Sequence, residues 1–350
     1  LTPEEKDEEK FYRNGKLDGP STNWENGYRS VMTTYKGGRP NGPWVIWYPN
    51  SDQIKEQGFH QNGITEGLTT YYYEDGTMQR EGFLKGGHPI NIWTYWNSKG
   101  EKDFDFDFGS ELEHVALSDL VEKEFVFYKM NEDTPFTGII ADENSDEGFH
   151  FLGRVKNGKK DGDWIKWYES GKVVPEVLLV SVPIPEPETP WSGGKQEQGG
   201  YKDGEKHGEW TEWYDNEHIK SHGNYDLGVM NGFWTFYHSN GIKEKEGTLL
   251  NGNADGLWVF YDESAKKAQE GSFSNGVKEG QWTAWFEDGR MTEGYYANGK
   301  KNEMWTSWWD FDRTRKEMQG TYKNGKMVDK WFFYDKNGNL KEIRYFSPDF

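Results

Sequence analysis

Gly208-Glu209-Trp210, Gly232-Phe233-Trp234, Gly256-Leu257-Trp258 and Gly280-Gln281-Trp282 recur every 24 residues, and this spacing decides the fold. Trp305 follows after 23 residues and Trp331 after 26. Upstream, Gly162-Asp163-Trp164 belongs to the same set, and Trp44 and Trp93 lie 49 apart. Thr69, two residues after Gly67, stands where a Trp would fall between them. Self-similarity at a fixed period marks a repeat architecture, in which each unit buries its apolar face only against its neighbours.

With the Trp as position zero, a second aromatic follows three residues later, as at Trp47, Trp213, Tyr237 and Tyr261. A turn glycine comes seven residues on, as at Gly241 and Gly289, and a further Gly about thirteen on, as at Gly223, Gly247 and Gly271. Then comes Asn-Gly, as at Asn275-Gly276 and Asn298-Gly299, just ahead of the next unit. Asn-Gly supplies the positive φ of tight hairpin turns, and aromatics with Thr between the turns favour strands. Each unit therefore reads as one antiparallel β-hairpin. The fold expected is all-β, a solenoid-like array of stacked hairpins.

Positions zero and three lie on opposite faces of a regular strand. Thr211, Thr235, Val259, Thr283 and Thr306 at position one share a face with position three, and that face is taken as the core. The Trp then faces the other way, unless the strand begins after it or carries a bulge.

Composition narrows the class. The 350 residues carry 60 acidic and 41 basic side chains, net −19, with 43 Gly and no Cys. A mean hydropathy of −1.03 resembles disorder, but 17% aromatic residues contradict it. The core is expected to be thin, aromatic and distributed. A charge of −19 opposes nucleic acid and anionic membranes. The longest apolar run, Val177-Leu178-Leu179-Val180, is too short to span a bilayer.

The units resemble the MORN repeat, in the bacterial variant found in YwqK-family antitoxins. The residues that carry the likeness include Asn157-Gly158-Lys159-Lys160-Asp161-Gly162-Asp163-Trp164-Ile165-Lys166-Trp167-Tyr168, and Tyr201-Lys202-Asp203-Gly204-Glu205-Lys206-His207-Gly208-Glu209-Trp210. The likeness implies a β-hairpin solenoid used for binding or scaffolding. It also implies lipid contact, which the net charge opposes where the lipid is anionic.

Breaks in the period divide the chain. Residues 1–10 read as a solvated leader and hint at export, 11–108 as an N-terminal array, and 125–350 as a C-terminal array. Ser110 to Glu124, with Leu112, Val115, Leu117, Leu120 and Val121 loosely at helical spacing, reads as a short helix or linker over 109–124. Residues 176–198, with Pro183, Pro185, Pro187 and Pro190, read as an extended insertion on one face of the solenoid.

Two acidic groups suggest calcium: Asp103, Asp105 and Asp107 on one strand face, and Asp142 with Asp146 in a compact loop. A solvated face or an exposed turn is the plainer reading of each, and no other cofactor is indicated. Tyr71, Tyr73, Tyr95, Tyr168 and Phe236 are candidates for an exposed aromatic strip that binds a peptide or sugar rings, with core packing as the plainer reading. His218 and His222 flank a hairpin and are discounted as a metal pair. The sequence holds no Gly-x-Ser-x-Gly, phosphate loop or His-Glu-x-x-His. The reading is a non-enzymatic repeat protein, exported or at the cell surface, that binds a protein partner or assembles with itself. The alternatives are a cytoplasmic antitoxin-like regulator and a glycan-binding or carbohydrate-active repeat protein.

Overall fold

In the computed structural model, residues 7–110, 113–141, 150–168 and 194–347 are described. They form two compact units, 7–159 and 160–168 with 194–347. In unit 1 a ten-stranded sheet runs from Glu8–Arg13 to Lys102–Asp107. Its strands are antiparallel to their chain neighbours, with the short Ile64–Thr65 strand hanging off Ile54–Gln61. Further along, Glu113–Ala116 pairs in parallel with Gly138–Ala141, itself antiparallel to His150–Lys156, and Leu120–Lys123 pairs with Val126–Lys129 in a two-stranded sheet. Unit 2 is one antiparallel meander that ends at Leu340–Phe346.

Two boundary readings change. The leader gives way at Glu8–Arg13, which pairs with Lys16–Glu25. The short helix over 109–124 is absent among the described residues: Glu113–Ala116 and Leu120–Lys123 are strands around a 3-10 turn at Leu117–Asp119. Val115 meets Ile140 across the parallel pair, and Val121 meets Tyr128 in a hairpin. Cross-strand partners outweigh a loose helical spacing.

The indoles, not positions one and three, make the main core. Trp93, Trp210, Trp234 and Trp331 are among the largest fully buried side chains. Thr235, Thr283 and Thr306 at position one are buried as well, so both faces are partly covered. The Trp does face away from positions one and three, because Trp258, Val259 and Phe260 pair in step with Gly271, Glu270 and Gln269; it is the Trp face, not theirs, that makes the main core, and a bulge lies just ahead of it. Gly247 pairs with Trp258 but Thr248 pairs with Asp255, so Gly256 and Leu257 have no partner on that side. Gly256 holds φ +71, and Asn91, Glu303 and Asp329 fill the same left-handed slot at φ +59, +57 and +59 in other units.

The glycine thirteen residues on now has a cause. In unit 2, Trp164 pairs with Gly199, Gly199 with Trp210 and Trp210 with Gly223. The same alternation continues from Trp234 through Gly247, Trp258, Gly271, Trp282 and Gly294 to Trp305 and Gly320. From Trp210 to Trp331 each indole of the row lies flat over the glycine of the preceding strand. A Cβ on Gly247 would stand 2.3 Å from the Trp258 ring, and one on Gly271 2.2 Å from Trp282. The indole N–H then donates to the carbonyl ten residues back: Trp210 to Gly200 at 2.8 Å, Trp258 to Thr248 at 3.0 Å, Trp282 to Ser272 at 2.9 Å. This removes the polar cost of burying Trp.

Aromatics two residues beyond most of these glycines fill the gaps, with Leu249 in that place after Gly247. Tyr225 meets Trp234 edge to face at 5.2 Å, Phe273 meets Trp282 at 5.0 Å and Tyr322 meets Trp331 at 5.0 Å. A second link joins the outer ends of neighbouring units. The hydroxyl of Tyr48 donates to Tyr72 O, Tyr168 to Trp213 O, and Tyr214 to Tyr237 O, at 2.7–2.8 Å.

Unit 1 carries the exception. Thr33, not Gly, pairs with Trp44, and the Trp44 ring leans instead over Gly58 on the following strand, beside Thr69. It occupies the space that the Trp missing at Thr69 would take. Trp44 Nε1 and Thr69 Oγ1 are both buried without a hydrogen-bond partner among the described residues.

Gly247→Ala is expected to lose about 1–3 kcal/mol of stability in urea unfolding, as overpacked cores do. Combined with Trp258→Leu, the added methyl should cost much less, giving a coupling energy of about 1 kcal/mol or more in a double-mutant cycle. Strict additivity would show that ring and glycine do not meet.

Candidate binding surface

Strand alternation and the bulge settle which side chains are left over for recognition. The residue before each Trp points away from the indole row and is exposed in most units. In unit 1 this residue and its cross-strand neighbours make a short apolar ribbon. Pro43 pairs with Phe59, Leu68 with Phe83, and Phe83 with Ile90 on the strand that carries Ile92. Phe59, Leu68, Phe83 and Ile92 are 45–58% exposed. Contiguous exposed apolar side chains on a folded chain mark interaction surfaces. In unit 2 the corresponding row holds Phe233, Leu257, Tyr295 and Met304, also exposed.

The indole face differs in character. Lys206, Lys278 and Lys301 lie over the rings of Trp210, Trp282 and Trp305 at 3.7–3.9 Å. Their ammonium groups stack on the negative ring faces. Burial pulls Lys278 and Lys301 below the ordinary lysine range, with the Lys301 charge adding to the effect on Lys278. In unit 1 polar groups enter this face. Arg80 is buried, with its guanidinium 3.8 Å above the Tyr71 ring, and burial raises Glu56 above the usual carboxylate range.

The aromatic strip expected from Tyr71, Tyr73, Tyr95, Tyr168 and Phe236 is not exposed. Tyr95 is 2% exposed and stacks on Phe104 at 4.4 Å, and the other four are half-buried. Phe236 stacks on Trp234, Tyr168 bonds Trp213 O, and Tyr73 donates to Trp96 O at 2.9 Å, with burial pushing its hydroxyl up to about 12. These side chains hold the ladder together. The exposed ribbon residues were passed over in the sequence, although their place just before each Trp was the available signal.

The first calcium group is not assembled either. Asp105 accepts from Thr94 and Lys102, and Asp107 from the Gly109 amide and Arg154, while Asp103 stands at a register shift. Alternation and these partners spread the carboxylates, and no group of three or more metal-ligating side chains converges among the described residues. Asp142 and Asp146 lie outside the described residues, as does the insertion at 176–193; residues 195–198 begin the strand Lys195–Lys202. His218 is taken by Ser239 O, and His222 by Thr211 and Glu209.

A cavity of about 350 Å³ lies in unit 1 between Glu113, His114, Asp119, Lys129 and Glu132. Lys129 is tied to Glu113 at 2.6 Å. Both ring nitrogens of His114 are buried without a partner among the described residues, and its ring packs against Phe108 and His88. Burial, then the charge of His88, pushes His114 down to about 4.

A family model described as the MORN repeat variant matches residues 65–85, 206–227 and 330–347. These stretches contain Thr69, Trp210 and Trp331, so the chain carries MORN-type β-repeats. No curated protein matches. The crystal structure of TcdB2-TccC3 is 9% identical, covering 97% of this chain and 18% of that one, with a TM-score of 0.16. That of TcdB2-TccC3-TEV is 10% identical, covering 95% and 17%, with a TM-score of 0.15. The chain spans under a fifth of either, and scores this low carry no argument. Among the described residues no helix is long and apolar enough to cross a membrane.

His114 should titrate near pH 4 in an NMR imidazole titration. Its folded pKa lies below the unfolded one, so the neutral ring favours folding at high pH. That contribution is lost as pH falls from about 6.5 towards 4. The melting temperature of His114→Gln should therefore fall less over that window. An ordinary midpoint near 6.5 would show that the ring is solvated.

Proposed function

We propose that this is a non-enzymatic scaffold, exported or surface-associated, that holds a protein partner on the apolar ribbon of unit 1. MORN-type repeats support a repeat-based binding or scaffold role. The observation that carries the finer reading is the run Phe59, Leu68, Phe83 and Ile92, exposed in a chain with 29% charged residues. A regular array fixes such side chains at strand spacing, so a partner meets a pre-organised row with little ordering cost. The partner chemistry that fits is a protein surface with its own apolar or aromatic anchors. A glycan would need polar groups beside stacking rings, and the ribbon offers few.

Affinity purification from the natural host should recover one stoichiometric protein with the wild type. Phe83→Glu should weaken that complex by about thirtyfold or more, as removing an interface anchor does, with an unchanged circular dichroism spectrum. Equal recovery with both proteins would overturn the reading. Cell fractionation tests the location: cytoplasmic protein bound to a toxin would favour the antitoxin-like alternative.

A further inference from the structure

The last strand of unit 2, Leu340–Phe346, pairs with Lys326–Tyr334 on one side. Among the described residues no strand pairs with its other side. Such an edge presents a row of free N–H and C=O groups to a further strand. Its apolar side chains are exposed, Leu340 at 52%, Ile343 at 37% and Tyr345 at 76%. The Trp–Gly row also stops here: Trp305 pairs with Gly320, but Trp331 pairs with Arg344. A Cβ on Gly320 would stand 2.2 Å from the Trp331 ring. The Arg344 side chain fills the equivalent place for any indole that follows, so another unit of the same kind does not stack on this edge.

We propose that this edge pairs with the same edge of a second copy of the chain, antiparallel about a two-fold axis through Ile343. The order of side chains commits the edge to that occupant, because Leu340-Lys341-Glu342-Ile343-Arg344-Tyr345-Phe346 is complementary to its own reverse. On that axis Ile343 stands opposite Ile343 of the second copy. Glu342 stands opposite Arg344, Lys341 opposite Tyr345, and Leu340 opposite Phe346. Residues opposite each other in an antiparallel pair share a face, so these are direct contacts. Each rung is favourable: apolar on apolar at the centre and the ends, opposite charges next to the centre, and an ammonium beside an exposed ring between them. A patch that matches itself in this way is what an isologous dimer requires.

The same charges turn other arrangements away. Moving the axis by one residue sets Glu342 or Arg344 against its own copy, and a strand of unrelated sequence leaves Lys341, Glu342 and Arg344 unmatched. In a single copy Arg344 reaches along its own strand to Glu342, at 2.8 Å through both nitrogens. A second copy gives each of them a cross-strand partner as well. Tyr345 has Lys330 at 5.9 Å on its inner side, and the second copy's Lys341 comes to its outer side. The acidic excess of the chain lies elsewhere, because residues 326–346 hold five basic and three acidic side chains. The pairing uses neither unit 1 nor the exposed residues before each Trp, so it stands or falls apart from the ribbon reading.

The test uses the full chain. Sedimentation velocity should show a concentration-dependent dimer that grows no further, because the pairing consumes the edge of both copies. Glu342→Arg should weaken the dimer by about tenfold or more, since it sets Arg against Arg on two rungs. Adding Arg344→Glu to that variant should restore it, because the exchanged charges again face each other across the axis. Phe83→Glu in unit 1 should leave the dimer unchanged. The chain has no cysteine, so crosslinking is unambiguous. Ile343→Cys should form an intermolecular disulfide readily, its Cα standing about 5 Å from its copy. Lys341→Cys should not, because four residues of strand put it about 13 Å from its copy. A monomer at concentrations up to about 100 µM overturns the pairing, as does a dimer indifferent to Glu342→Arg. Assemblies that lengthen with concentration overturn it in favour of a head-to-tail contact. Equal crosslinking of the two cysteine variants overturns the axis through Ile343.

Discussion

An indole lying flat on a glycine of the neighbouring strand is the contact on which the rest of this structure depends. The ring needs a position with no side chain beneath it, and the pairing supplies one: Gly247 opposite Trp258, Gly271 opposite Trp282. Because the next strand again offers a glycine, the pair propagates as a row of alternating Trp and Gly through unit 2. Two strands are needed to return to a Trp, and that sets a repeat of about 24 residues. The row also explains how a chain with a mean hydropathy of −1.03 folds. The apolar surface is concentrated in a few large rings, and the remaining positions are free to carry charge.

Stability in such an array is close to a sum of unit and neighbour terms. The exception in unit 1 shows what one missing ring does. With Thr at 69 and Thr33 opposite Trp44, the Trp44 ring turns to the following strand and its N–H loses the usual carbonyl. The row survives because one ring covers the vacant place, at the cost of two orphaned polar groups. Here also Arg80 and Glu56 enter the indole face, a polar substitution that unit 2 makes only partly with its lysines.

Much of this was legible in the residues. The Trp spacing and the Asn-Gly pairs define the hairpins, and Asn251-Gly252 and Asn275-Gly276 hold the positive φ expected of them. The glycine at position thirteen was visible, but its purpose was not, because cross-strand partners depend on register and register depends on bulges. Alternation gave the facing of the Trp correctly, but which of the two faces is the core depends on the glycine that lies under the ring, and that too is set by register. Over 110–124 the apolar residues suit a helix or short strands equally, and Ile140 and Tyr128, the partners that decide, lie outside that window. The binding surface was the least legible part. Tyr71, Tyr95 and Phe236 look like exposed aromatics in a strand pattern, yet they share the indole face, whereas Phe233 and Leu257 look like neighbours of a core Trp and face outward.

The most direct test of the Trp–Gly row is to excise one period. Removing residues 247–270 joins Glu246 to Gly271, so that Trp234 meets Gly271 in place of Gly247 and the alternation is intact. The row predicts a folded, cooperative protein with slightly lower stability and indole N–H protons still protected from exchange. A deletion of the same length starting at residue 259 removes Gly271 and Trp282, and it too should fold. Shifting the excision to twelve residues, 247–258, breaks the alternation and should unfold the neighbouring strands. If the 12- and 24-residue deletions are equally stable, the Trp–Gly row is not what holds the array together.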